Sequence, residues 1–318
     1  MNKQSSLTNK NDPLSARIGL GIGLIVLSTG MFVSMDAIIK HCSELGYTTA
    51  QIIFFRNVFA FIPIGFLVIF NGGFHAIKTS RISAHIGRAF IGLSAMGCFF
   101  YAVRELPLSD LVAITFAAPL FMTALSGPLL GEKVGARRWS AVGLGFMGVI
   151  IMVQPSTHIQ SATLIALCGT IFYALAMIAV RKMSRTETST SIVFYFTLIG
   201  SIVSGGFLIN NWIPVNLYGF AMLIFIGLIG GSAQIIMTYG IKVTPISILA
   251  PFEYSAILWA CGFDILIWKI FPSTSTLWGA LLVAITGLYI LHRETHLNVR
   301  AKFSSRFSRI RVSSSERG

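Results

Sequence analysis

Long apolar runs separated by short polar breaks occupy most of the chain. A helix crosses the hydrocarbon core of a bilayer with about 17 to 25 mostly apolar residues, and ten segments answer to that description. In the first half they run approximately Ile18–Ile39, Gln51–Phe70, Ile86–Val103, Leu108–Leu130 and Trp139–Val153. In the second half they run approximately Ala162–Val180, Ile192–Ile209, Leu217–Tyr239, Ile246–Trp268 and Leu277–Leu291. Two stretches, from Trp139 to Val180 and from Thr188 to Ile241, contain no Asp, Glu, Lys or Arg. Each is too long for one span and is interrupted once by a polar turn, Gln154-Pro155-Ser156-Thr157-His158 or Asn210-Asn211-Trp212-Ile213-Pro214, so each holds two helices. The pattern predicts an all-α membrane protein of about ten transmembrane helices. The first sixteen residues are polar and carry no signal-peptide core, so the run beginning near Ile18 reads as a retained span.

Composition supports lipid as the solvent. The 318 residues are 54% hydrophobic and only 11% charged, against about 25% charged in soluble domains. The net charge of +13 is distributed as membrane topology requires, not as a basic face interleaved with aromatics, which argues against nucleic acid as a partner. With the N-terminus placed inside, 20 Lys and Arg fall in cytoplasmic segments, three (Lys40, Arg104, Lys269) fall outside, and Arg56 lies within a span. That bias predicts a multi-pass protein of a cytoplasmic (bacterial inner) membrane with both termini cytoplasmic. The four cysteines, at 42, 98, 168 and 261, form no CxxC pair or Cys/His cluster, so neither a disulfide framework, a metal site nor any cofactor is expected. Gly19-x-Gly21-x-Gly23 lies in a span and lacks the strand-to-helix context of a dinucleotide loop.

The two halves repeat. At an offset of 138 residues, Tyr101 meets Tyr239, Arg104 meets Lys242, Pro107 meets Pro245 and Ser109 meets Ser247. With one inserted residue, the Trp139 segment meets the Trp278 segment and Gly148 meets Gly287. Each half holds five spans, an odd number, so the copies run in opposite senses through the membrane. The expected organisation is a cytoplasmic segment 1–17, a first repeat 18–153, a second repeat 162–291 and a basic cytoplasmic tail 293–318. Inverted repeats place a substrate site near the midplane, between halves that rock against each other.

The same segments carry a family resemblance. Pro107-Leu-Ser-Asp-Leu-Val-Ala-Ile, Ala118-Pro119-Leu120-Phe121, Leu130-Gly131-Glu132-Lys133 and Arg138-Trp139 leading into Gly143 and Gly148 resemble the end of an EamA repeat of the drug/metabolite transporter superfamily. The second copy matches through Ala250-Pro251-Phe252-Glu253-Tyr254 and Trp278-Gly279-Ala280. Asp36-x-x-x-Lys40, Phe55-Arg56 and Gly87-Arg88 look like the bacterial metabolite branch, which includes S-adenosylmethionine and riboflavin carriers. The resemblance implies ten helices in two inverted five-helix copies and a carrier, not an enzyme. In one place the pattern departs: where the first copy has Gly131-Glu132, the second has Lys269-Ile270.

Ionisable residues inside a membrane are functional candidates by default, because a charge near the bilayer centre costs from about 3 to above 10 kcal/mol. Glu253, about seven residues into the ninth span, suits a carboxyl that exchanges a proton or faces a cationic substrate group. Asp36 and Arg56 lie at equal depth on consecutive antiparallel spans and form a candidate intramembrane ion pair, with Lys40 one turn away as the alternative partner of Asp36. Asp264, near a span end, reads as structural or as part of a vestibule. Arg88 and Asp110 lie at span ends, where snorkelling is the expectation. Phe116, Tyr173, Gln234, Tyr254 and Trp259 are candidates to clasp a flat or amphipathic metabolite. The function predicted is transport of a small organic molecule, S-adenosylmethionine-, riboflavin- or amino-acid-like. Protons are the candidate coupling ion, and the bilayer and a second copy of the chain are candidate partners. The rivals are a polytopic membrane enzyme, against which stand the absence of an HExxH pair or acidic magnesium motif, and a membrane scaffold or sensor, which needs no matched inverted halves.

Overall fold

The computed structural model describes residues 13–130, 136–153, 160–183, 186–209, 212–243 and 252–289. They form α1 (Pro13–Glu44), α2 (Thr49–Phe70), a 3-10 turn (Gly73–Ile77), α3 (Ile82–Glu105), α4 (Leu108–Thr115), α5 (Ala118–Leu130), α6 (Ala136–Val153), α7 (Ser161–Met183), α8 (Ser189–Leu208) and α9 (Leu217–Val243). These are followed by α10 (Ala256–Trp268), whose last five residues make a π-helical turn, and α11 (Thr274–Tyr289). Among the described residues, seven segments are long and apolar enough to cross a membrane, and α6, α10 and α11 are shorter apolar helices. The outer surface carries large apolar groups such as Phe66, Phe70, Phe207, Leu217 and Leu258, as a lipid-facing exterior must.

The two halves interlock. The most extensive packing joins α1 to α9, α2 to α9, α3 to α7 and α2 to α8. Under the repeat the α1–α9 and α3–α7 pairs are images of each other and α2–α8 is its own image, whereas α2–α9 packs far more extensively than its image, α3–α8. Short approach between α2 and α9 comes from the glycine run 227–231: a Cβ on Gly231 would stand 2.6 Å from Cγ of Pro63 and 3.1 Å from Cα of Ala60. This is the close packing of small residues that drives helix association in lipid. Capping follows the same symmetry. Thr48 accepts the Gln51 N–H at the start of α2, and Thr188 accepts the Ser191 N–H at the start of α8. Each helix start then bonds to the other half, Gln51 Nε2 donating to the Ile213 carbonyl at 2.9 Å and Thr188 Oγ1 to the Ala76 carbonyl at 2.7 Å.

The expected fourth and ninth spans are not continuous helices. The fourth breaks at Phe116–Ala117, between α4 and α5. The ninth turns at Tyr254–Ser255, just ahead of α10; the earlier part of this span, residues 244–251, lies outside the described residues. Position 116 plus the repeat offset of 138 is 254, so the two breaks are equivalent. Pro119 in the first turn of α5 has the backbone geometry that suits a helix start. The two break residues also meet: the rings of Phe116 and Tyr254 pack edge to face with centroids 4.7 Å apart.

Candidate functional site

The break in the ninth span lies against α1, through a 3.0 Å hydrogen bond between the Thr29 and Ser255 hydroxyls. The Tyr254 hydroxyl is buried there without a hydrogen-bond partner, and Phe116 beside it is 8% exposed. Glu253 is the last residue before the turn. Its surface remains accessible. Tyr173 of α7 keeps 38% of its surface accessible, packing edge to face on Phe99. It lies within electrostatic reach of Glu253 and of Arg88, one of two arginines in a narrow recess. Trp259 stands apart from this group, its ring laid along Gly30 of α1, where an added Cβ would meet it at 3.1 Å.

Arg56 and Arg88 meet in that narrow recess, lined also by Phe196, Thr197, Gly231 and Gln234. Arg56 enters from α2, and its Nη1 donates to the Asn57 side chain at 3.1 Å. Arg88 enters from α3, six residues or about 9 Å along the axis from the helix start. Its guanidinium lies 4.0 Å from the Phe196 ring centre, and that of Arg56 lies 5.9 Å from the same centre. Snorkelling therefore does not describe Arg88: the face of α3 that carries it turns inward to α8, and its Nε and Nη1 are buried without acceptors. Asp36, half-buried on α1, interacts electrostatically with Arg56, but no ion pair within 4.0 Å joins them among the described residues. Lys40 does not pair with Asp36 either; it donates to the Leu106 carbonyl at 2.8 Å and lies over the Trp268 ring. Of the residues singled out in the sequence, Arg56 and Gln234 thus line the recess, where Arg88 joins them, while Phe116 and Tyr254 meet at the helix breaks beside Glu253, with Tyr173 in electrostatic reach of Arg88 and Glu253.

The remaining buried charges are satisfied and tie the bundle ends. Asp264, fully buried at the π-turn of α10, accepts the backbone N–H groups of Leu108 and Ser109 at 3.0 and 2.8 Å and the Ser109 hydroxyl at 2.7 Å. It is the N-terminal cap of α4, which Pro107 cannot provide. Asp110 accepts from Thr276 at 2.6 Å, and Trp268 Nε1 donates to Glu44 at 2.6 Å. At the opposite end His85 and Glu187 pair at 3.2 Å, both side chains nearly enclosed. Burial raises the Glu187 carboxyl, but hydrogen bonds from Thr79, His85 and Ser191 and the pull of His85 outweigh it and hold the group below the usual carboxylate range. Lys269 ends α10 in the left-handed region at φ 58°. It aligns with Gly131 of the first repeat, which lies outside the described residues.

A profile of the EamA-like transporter family matches residues 19–154 and 160–292. A pseudopaline exporter of Pseudomonas aeruginosa is 25% identical over 268 residues, covering 83% of this chain and 93% of that protein. An S-adenosylmethionine uptake transporter of Rickettsia bellii is 26% identical over 285 residues, covering 89% of this chain and 97% of that protein. One solved crystal structure covers 87% of this chain and 98% of its own, with a TM-score of 0.58 and 14% sequence identity, a likeness of fold.

Proposed function

The chain belongs to the EamA-like transporter family, and from that premise we propose that it carries a small organic metabolite across a bacterial cytoplasmic membrane by alternating access. The observation that carries this reading is the pair of equivalent helix breaks, one in each half, meeting at Phe116 and Tyr254. Broken helices at the interface of inverted repeats are where carriers place their substrate, because half-helix ends supply polar backbone groups at membrane depth. The halves, 18–153 and 162–291, rock about this axis. Glu253 beside the break is the coupling group, exchanging a proton or a cationic substrate group with either side. The relatives that export pseudopaline or take up S-adenosylmethionine favour an S-adenosylmethionine- or amino-acid-like cargo, with riboflavin-like compounds as further members of a test panel. Reconstituted into proteoliposomes, the protein should accumulate at least one radiolabelled member of that panel against its gradient when a pH gradient is imposed. Retention no greater than in protein-free vesicles, across the whole panel and in both directions, would sink the carrier reading.

Orientation follows from the distribution of basic residues, 19 to 3 once Arg88 is placed inside the bundle. Both ends and the loops around Lys78, Arg137 and Lys182 are cytoplasmic. In a cysteine-free background, single cysteines at Thr79 and Ser184 should resist an impermeant thiol reagent applied to intact cells, and one at Asn211 should label. Labelling of the first two reverses the topology.

A further inference from the structure

We propose that Arg56 and Arg88 together form the receptor for a carboxylate group of the transported molecule, so that the cargo of this protein is an organic acid or a zwitterion. The proposal rests on the carrier reading and adds what the carrier recognises. Its basis is an exception. Other buried polar charges meet partners: Asp264 accepts three hydrogen bonds, Lys40 donates to a carbonyl, and His85 faces Glu187. In the recess between α2, α3, α8 and α9, three guanidinium nitrogens, Nε of Arg56 and Nε and Nη1 of Arg88, are buried with no acceptor.

The arrangement is unfavourable as it stands. Two like charges share a low-dielectric space and repel, and a buried cation without a hydrogen-bonded counter-ion is strongly destabilising. The Phe196 ring stabilises the flat face of Arg88, but a ring face leaves the in-plane N–H donors unmet. Asp36 offsets at most one of the two positive charges, so a charge remains for a monoanion. Guanidinium forks match the planar, two-oxygen geometry of a carboxylate in bidentate fashion, and the narrowness of the recess favours that planar group over a tetrahedral phosphate. Gly231 and Gly230 keep the α9 wall low: a Cβ on Gly230 would stand 3.4 Å from Arg56 Nε. Tyr173 is in electrostatic reach both of Arg88 at this cationic end and of Glu253, the acidic group at the helix break. A zwitterion would span the two.

The test uses the full-length protein, with each carboxylate in the transport panel run beside its methyl ester or amide. A compound carried by the wild type should lose roughly tenfold or more in uptake when its acid is masked. Arg88→Gln should lower uptake of the acid by a similar factor and erase the acid-to-ester difference. Equal transport of acid and ester, or an unchanged ratio in Arg88→Gln, overturns the assignment. A binding assay separates recognition from transport: benzoate, against benzamide and inorganic phosphate at matched ionic strength, is added to the detergent-purified protein and thermal unfolding is followed. Benzoate alone should raise Tm in the wild type, and neither Arg56→Gln nor Arg88→Gln should respond. If no compound is transported but this pattern holds, the carboxylate site stands and the carrier reading falls. Absence of a benzoate shift in the wild type, or an equal shift from benzamide, removes the site. Should Arg88→Gln fail to fold, Arg88→Lys, which keeps the charge but loses the fork, replaces it, with weakened benzoate binding expected and an undiminished response overturning the proposal.

Discussion

Glu253→Gln is expected to fold, insert and exchange substrate across the membrane, but not to accumulate it. The substitution keeps the size of the side chain and most of its hydrogen-bonding capacity while fixing its charge at zero. Glu253 is hydrogen-bonded to no described residue and keeps accessible surface, so its loss removes no cap or tie. Its counterpart in the first repeat is Thr115, whose hydroxyl donates to the Val112 carbonyl within its own helix, so the fold does not require an acid at this place. In a proton-coupled cycle a one-unit pH gradient supplies about 1.4 kcal/mol per proton, or about tenfold accumulation. Wild-type vesicles should approach that ratio and Glu253→Gln vesicles should stop near equality, with counterflow exchange preserved. Loss of binding at every pH would instead identify Glu253 as a direct partner of a cationic substrate group. Uphill transport at the wild-type level, with an unchanged pH profile, would take the residue out of the mechanism.

Asp264→Ala should be the most damaging single change to folding. It strips the start of α4 of its cap, leaving two backbone N–H groups and a hydroxyl buried without acceptors at a place that water does not reach. Hydrogen bonds to a charged acceptor contribute about 1.5 to 3 kcal/mol each, so a loss on the order of 4 kcal/mol is expected, enough to deplete the protein from the membrane. Asp264→Asn, which retains one good acceptor, should fall between, and Ser109→Ala should cost about 1 kcal/mol. Abundance in isolated membranes and Tm in detergent measure the series. A wild-type Tm for Asp264→Ala would show that α4 is held by its apolar contacts alone.

The spans and the repeat are legible in the sequence because lipid enforces them: a helix must be apolar for its whole length, and duplicated halves keep their landmark residues in register. The breaks at Phe116 and Tyr254 are not, although Pro119 and Pro251 stand beside them; continuous hydropathy hides a turn whose backbone N–H groups are met by local bonds within the same segment. Depth along a span misplaces Arg88, because rotation about the helix axis decides. Six residues from a helix end permits either a headgroup or an interior position, and only packing of α3 on α8 selects the second. For Asp264 a signal exists. Pro107-Leu108-Ser109 begins a helix with no capping side chain of its own, so its orphan N–H groups have to be met from elsewhere in the chain, and an otherwise unexplained buried acid is the group to suspect.

The contact between Phe116 and Tyr254 sets a further condition on any molecule held there. Two identical halves would offer such a molecule two interchangeable poses, head-first and tail-first, of equal energy. Here Thr115-Phe116 faces Glu253-Tyr254, so one side presents an acid and a phenol where the other presents a short alcohol and a bare ring. The degeneracy is lifted, and a bound molecule has one preferred polarity. A duplicated gene could acquire that directionality with substitutions at two adjacent pairs of equivalent sites, leaving the two-fold-related scaffold that moves them intact.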